Sequence, residues 1–266
     1  MLPRCSKRIL SLILGAAIGC GGSQPVVWEG SRTVPPKSST VRLSAAGDVM
    51  IDTLATMSSR LSAPSAACPG SMRLSAFGIK LFAVWWSPRA DSTAVLESSI
   101  TSDSGRTWGH VVPVDTTDHG PTGCARTPPA IATDDASGYV HVTYSMQAAE
   151  GPGLFYAHSM DRGATFHSPV PILYGERLGI TSVAASGDVV AVAFEDPGSR
   201  TPRIGLALSA TMGHIFENRV LPVSDDNSAA TQPLVAVNGH RLAVAWRERP
   251  SSNGGGVIRL RTGSIP

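Results

Sequence analysis

The chain has 266 residues, 22 of them Lys or Arg and 20 Asp or Glu, for a formal net charge of +2. Hydrophobic residues make up 42% and charged residues 16%, which suits a globular chain of one large domain or two small ones. Three of the positive charges, Arg4, Lys7 and Arg8, fall within the first 19 residues, which hold no acidic residue; without that segment the charge becomes −1, and a nucleic-acid partner is not expected.

Residues 1–19 read as an export signal. The basic start is followed by the apolar run Ile9 to Gly19, which is short for a membrane span. The stretch Ala17 to Cys20, "AIGC", resembles a bacterial lipoprotein signal, with Ala17 where such signals usually carry Leu. The resemblance implies lipidation at Cys20 and an envelope protein anchored at the outer membrane or cell surface; ordinary cleavage would give a secreted one. Residues 20–39 are polar and rich in Gly, Pro and Ser, and read as the lipidated Cys and a flexible tether. Residues 40–266 are then the folded domain. Cys5 belongs to the signal, which leaves Cys68 and Cys124 as a disulfide pair in an oxidising compartment. Two free thiols are the alternative. No cluster with metal-ligand spacing is evident, and no cofactor is expected.

From residue 72 the chain repeats itself. Four runs open on Gly and continue with β-formers: "GIKLFAVWWS" from Gly78, "GYVHVTYSM" from Gly138, "GDVVAVAFED" from Gly187 and "GHRLAVAWRER" from Gly239. A short apolar run precedes each of them and a third β-rich segment follows. The first three repeats then carry an eight-residue motif and a fourth segment. The motifs are "TSDSGRTW" (Thr101 to Trp108), "SMDRGATF" (Ser159 to Phe166) and a degraded "SATMGHIF" (Ser209 to Phe216), with Thr211 in the Asp position. Asp103, Asp161 and Thr211 are 58 and 50 residues apart, the length of a four-stranded unit. The pattern predicts an all-β propeller of four-stranded antiparallel blades, with four clear repeats and four or five blades. The last repeat lacks its fourth strand. An N-terminal strand is expected to supply it and close the array, with residues 40–52 as the donor.

The motif resembles the Asp box, or bacterial neuraminidase repeat, of sialidase-type propellers, and the resemblance covers roughly residues 72–266. Its chemistry is that of a corner. Asp103 and Asp161 accept bonds from nearby backbone, Gly105 and Gly163 permit the turn, and Thr107, Trp108, Thr165 and Phe166 complete it. A calcium loop is not expected, because no spaced series of oxygen ligands is present.

Strand alternation puts these corners on one face, and the loops between second and third strands and between blades on the other. Ligands are bound on that other face in propellers of this kind. The resemblance implies a three-arginine carboxylate clamp, for which loop position selects Arg126, Arg200 and Arg247. It also implies a Tyr–Glu nucleophile pair, with Tyr174 and Glu176 as candidates, and an acid, with Asp118 as candidate. Trp85, Trp86 and Trp246 either stack on sugar rings or pack between blades. The chain departs from the family by lacking its Phe/Tyr-Arg-Ile-Pro signature and by being short for six blades. The reading favoured is therefore a non-catalytic propeller that binds a glycan or a surface protein. Exo-sialidase activity, an envelope scaffold without a small ligand, and a piece of a longer propeller are the alternatives.

Overall fold

The computed structural model describes residues 24–34, 68–91, 93–103, 105–120, 123–134, 136–225, 228–249 and 256–266. The first blade is β3 (Arg73–Phe77), β4 (Lys80–Pro88), β5 (Ala94–Thr101) and β6 (Val112–Asp118). The second is β7 (Ala130–Thr133), β8 (Val140–Ala148), β9 (Gly151–Ser159) and β10 (Val170–Tyr174). The third is β11 (Thr181–Ser186), β12 (Val189–Glu195), β13 (Ile204–Ser209) and β14 (Asn218–Pro222). Each is an antiparallel meander whose strands pair in chain order. The fourth blade is β15 (Ala229–Asn238), β16 (Arg241–Arg249) and β17 (Val257–Ser264), completed from the N-terminus by β1 (Val27–Trp28) and β2 (Arg32–Val34). The fold is therefore the expected all-β propeller of four-stranded blades.

The closing strand departs from expectation in its residues. Val27 pairs with Ser264, and Arg32 to Val34 pair with Leu260 to Ile258. The segment read as tether thus contains the missing outer strand. Its β-formers have a place to go, because Val26 is buried in the core between the third and fourth blades. The donor proposed at residues 40–52 lies outside the described residues, as do the signal and Cys20. No helix among the described residues is long and apolar enough to cross a membrane.

Successive blades pack through β3, β7, β11 and β15, and the core lies in the seams between them. Phe82, Trp86, Val142 and Tyr144 fill the first seam; Tyr156, Val192 and Phe194 the second; Leu206, Val244 and Trp246 the third. This explains the near-continuous apolar runs of the second strands. β4, β8 and β12 are covered on both faces, whereas β16 alternates, with Leu242, Val244 and Trp246 buried and Ala243, Ala245 and Arg247 half-buried. Trp85, Trp86 and Trp246 are 1%, 0% and 2% exposed, so packing, not sugar stacking, accounts for all three.

The repeated corners have one geometry. In the first, Thr101 Oγ1 donates to Asp103 Oδ1 at 2.7 Å and accepts from Gly105 N at 3.0 Å. Asp103 accepts from Thr107 N at 2.9 Å and Thr107 Oγ1 at 2.6 Å. Ser159, Asp161, Gly163 and Thr165 repeat these bonds at 2.7, 2.7, 2.9 and 2.6 Å. These bonds hold the Asp103 carboxyl well below the usual range. In the degraded third copy, Thr211 Oγ1 accepts from Ile215 N at 2.9 Å and so does with a hydroxyl what the carboxylates do elsewhere.

The corner also touches the blade before it. Phe166 packs on the first seam and Phe216 on Tyr156, ring centroids 4.9 Å apart. Gly163 comes so close to Ile100 that a Cβ would lie 2.9 Å from Ile100 Cδ1. A Cβ on Gly213 would lie 1.8 Å from Tyr156 Oη, and its φ is +85°. Gly213→Ala is accordingly expected to cost roughly 2–4 kcal/mol, from strain and overpacking together. Gly239→Ala, also at positive φ but facing open space, should cost about 1 kcal/mol. Urea midpoints check this, and equal losses would remove the close approach as a determinant of the seam.

Candidate functional site

The face opposite the corners is dominated by the loop joining the first and second blades. Cys68 and Cys124 form a disulfide across a sequence separation of 56, Cα atoms 5.4 Å apart. By loop-closure entropy such a link stabilises by about 4 kcal/mol. Trp86 Nε1 donates to Thr127 O at 3.1 Å. Arg126 turns inward over the Trp86 ring, 5.9 Å from its centroid. Its Nε and Nη2 donate to Asp118 Oδ2 at 2.8 and 2.6 Å, and its Nη1 to Gly123 O at 2.5 Å. Asp118 also accepts from Gly120 N at 3.2 Å and Gln147 N at 3.3 Å. The two side chains are 5% and 2% exposed.

Two residues selected for a clamp and an acid are thus together, but as each other's partners. A buried pair of this kind fixes geometry more than it adds net stability, and losing one member leaves an uncompensated charge. The remaining candidates are dispersed. Arg200 is exposed, and its carbonyl accepts from Arg177 Nη1 at 3.0 Å. Arg247 is half-buried on β16, beside Gly256. No hydrogen bond or ion pair among the described residues joins Arg126, Arg200 and Arg247, nor Tyr174 and Glu176.

What this region does offer is a cleft of about 530 Å³ between the first two blades. Met146 and Phe155 give it an apolar floor, and Thr117, His119, Glu150 and Tyr174 a polar rim. Thr117 and His119 flank Asp118, so the buried pair holds the strand end that carries them. Tyr174 is 44% exposed and meets Phe155 edge-on at 5.8 Å. His119 and Glu150 lie in loops and Tyr174 ends β10, polar positions that the sequence picks out by their place in the repeat. Phe155 and Met146 lie inside apolar strands, where nothing in the sequence separates a cleft floor from core.

No protein-family model matches the chain, and no curated protein matches it. Among solved structures it is similar to the Hadza microbial sialidase Hz136, at 18% identity and a TM-score of 0.50, over 71% of this chain and 43% of that one. It is also similar to a protein of unknown function from Dyadobacter fermentans, at 15% identity and a TM-score of 0.53, over 70% of this chain and 50% of that one. The likeness is one of fold. The chain spans half or less of the length of these structures.

The corner face holds a second cluster, which the sequence reading did not single out. His141 and His158 are directly opposite on β8 and β9. His158 stacks on His167 with centroids 4.8 Å apart, and His214 of the third blade meets it edge-on at 4.8 Å. His141 Nδ1 bonds Tyr156 Oη at 2.6 Å, while Nε2 of both His141 and His158 is buried without a partner. The hairpin register makes His141 and His158 neighbours, the corner of the same blade brings in His167, whose N donates to His158 O at 2.9 Å, and His214 arrives through blade packing. No three His, Cys, Asp or Glu among the described residues are arranged to hold a metal ion.

Burial pushes His141 down to about 4, with His158 adding to this and Asp134 opposing it. Burial likewise lowers His158 to about 4, helped by His214 and His167. Both folded values lie below the unfolded one, so the unfolded chain binds more protons between about pH 6.5 and 4. Stability from these residues is complete above that window and falls with pH through it, by on the order of 3 kcal/mol for His141 alone. Urea unfolding from pH 7 to 4 should show this slope, and His141→Phe should flatten it. On the opposite face, Asp118→Asn is expected to cost about 3–5 kcal/mol, against less than about 0.5 for Arg200→Ala; thermal or urea unfolding checks both.

Proposed function

We propose that this chain is an exported, non-catalytic propeller that binds a glycan in the cleft between its first two blades. The observation that carries the reading is the buried Asp118–Arg126 pair. A glycosidase acid needs a carboxyl that can reach the glycosidic oxygen, and a carboxylate clamp needs a guanidinium that faces the ligand. Asp118 and Arg126 meet neither requirement, since each satisfies the other out of solvent. Tyr174, by contrast, stands at the rim of a cleft with an apolar floor, beside His119 and Glu150. Such a mixture suits a sugar, which offers apolar ring faces and hydroxyls at once.

Export is supported by the Cys68–Cys124 disulfide. Lipidation at Cys20, with membrane contact through the lipid alone, completes the proposed arrangement.

The test is a glycan array run beside a fluorogenic sialoside, with the full chain purified in detergent. The expected outcome is saturable binding to a subset of glycans, weakened about tenfold in Tyr174→Ala, and no turnover. Turnover would replace this reading with an exo-sialidase. Absence of both would leave a surface-protein ligand or a scaffold.

A further inference from the structure

The third seam, between the third and fourth blades, departs from the pattern of the others. One ladder position, two residues before the corner, holds a small buried side chain in the first three blades. These are Ser99 opposite Ala83, Ala157 opposite Val142 and Ala207 opposite Val192. In the fourth blade the position opposite Val244 is Arg261. The guanidinium does not fill the seam. It lines a cleft of about 560 Å³ together with Pro25, Val26, Trp28, Leu221 and Asp225.

Arg261 is held in place and has no ion-pair partner among the described residues. Its Cζ lies 4.7 Å over the centroid of the Trp28 ring, and Nη1 donates to Val223 O at 3.0 Å. Nε is buried without a partner, and Nη2 makes no hydrogen bond among the described residues. Asp225 is at the rim and forms no ion pair with it. Burial pushes the guanidinium below its ordinary value, with the Asp225 charge partly offsetting this. A planar cation fixed by stacking and one backbone bond, in a cleft with apolar walls, is prepared for an anion. The Asp225 charge at the rim disfavours a dianion such as sulfate relative to a monoanion.

We propose that this groove is a second binding site, for a carboxylate-bearing small molecule of monosaccharide size, with Arg261 as its charge partner. It is separate from the cleft at Tyr174 and does not rest on the function proposed above.

The experiment titrates the full chain with D-glucuronate, using D-glucose and sulfate as controls, and follows tryptophan fluorescence and melting temperature. Glucuronate is expected to saturate and to raise the melting temperature, with glucose and sulfate at least about tenfold weaker. Arg261→Ala is informative because alanine occupies the same position in two other blades and packs there. It should weaken glucuronate by about tenfold or more while leaving the melting temperature of the free protein unchanged or higher, since a desolvated charge is removed. Arg261→Lys keeps the charge without the planar fork and should fall between. The proposal is overturned if the wild-type protein does not saturate with glucuronate, if sulfate binds equally well, or if Arg261→Ala binds unchanged. It is also overturned if Arg261→Ala lowers the melting temperature by several degrees and Arg261→Lys restores it without restoring binding, for Arg261 would then be a strut.

Discussion

Each of the last three blades is held to its predecessor by an aromatic side chain from its second strand, Tyr144, Phe194 and Trp246 in turn. Trp85, Tyr144, Phe194 and Trp246 occupy one ladder register, opposite Glu97, Phe155, Gly205 and Arg259, and all four are buried. Three of them carry a polar atom, and each is answered. Trp85 Nε1 donates to Ser87 Oγ at 3.0 Å, Tyr144 Oη to Asp115 Oδ2 of the first blade at 2.6 Å, and Trp246 Nε1 to Glu248 Oε2 at 3.2 Å. A large apolar body with one satisfied polar tip gives the seam both area and direction. A flat stack of antiparallel sheets would have neither, and could slide. The corner motif supports the same seam from the other end, setting Phe166 and Gly163, then Phe216 and Gly213, against the blade before.

That division of labour explains why the degraded corner survives. The buried hydroxyl of Ser209 still receives Gly213 N at 3.2 Å, and Thr211 still receives Ile215 N. What disappears is the one exposed bond that the hydroxyl of Thr107 or Thr165 gives the carboxylate in the intact copies, of modest net worth. What remains is the glycine pressed against Tyr156 and the phenylalanine beside it. The seam contacts, not the Asp, set the minimum the turn must keep.

The fold was legible in the sequence because its signals are local and repeated. A glycine-led β run and a hydroxyl–Asp–Gly–Thr–aromatic corner recur at blade spacing, and each copy supports the others. The closing strand was misplaced because pairing to β17 asks only for a few β-formers with a buried neighbour. Val26 to Trp28 provide that within a stretch whose composition reads as tether. The site was less legible for a different reason. Loop position says which end of the propeller a charge is on, not which way its side chain turns. Arg126 and Asp118 sit at the predicted end and face each other, a fact that depends on Trp86 beneath and the disulfide beside them. His214 joins the histidines at 141, 158 and 167 only once two blades are packed.

Small residues at the position two before the corner let the strand pairs of adjacent blades close, as Ala157 and Ala207 do within their seams. Arginine there is a break in a pattern that the surrounding residues otherwise keep, for Val244 and Trp246 are buried in the seam like their counterparts in the other blades. The fourth blade also draws its outer strand from residues 27–34, so Trp28 can rise over Arg261 without any constraint from the third strand's own chain. A hairpin-linked outer strand, as in the other three blades, would tie the identity of that residue to the corner before it. Supplying the strand from the far end of the chain frees the rim of this one seam to carry a cation on an aromatic face. The irregular blade thus carries a cation at its rim without loosening the core of its seam.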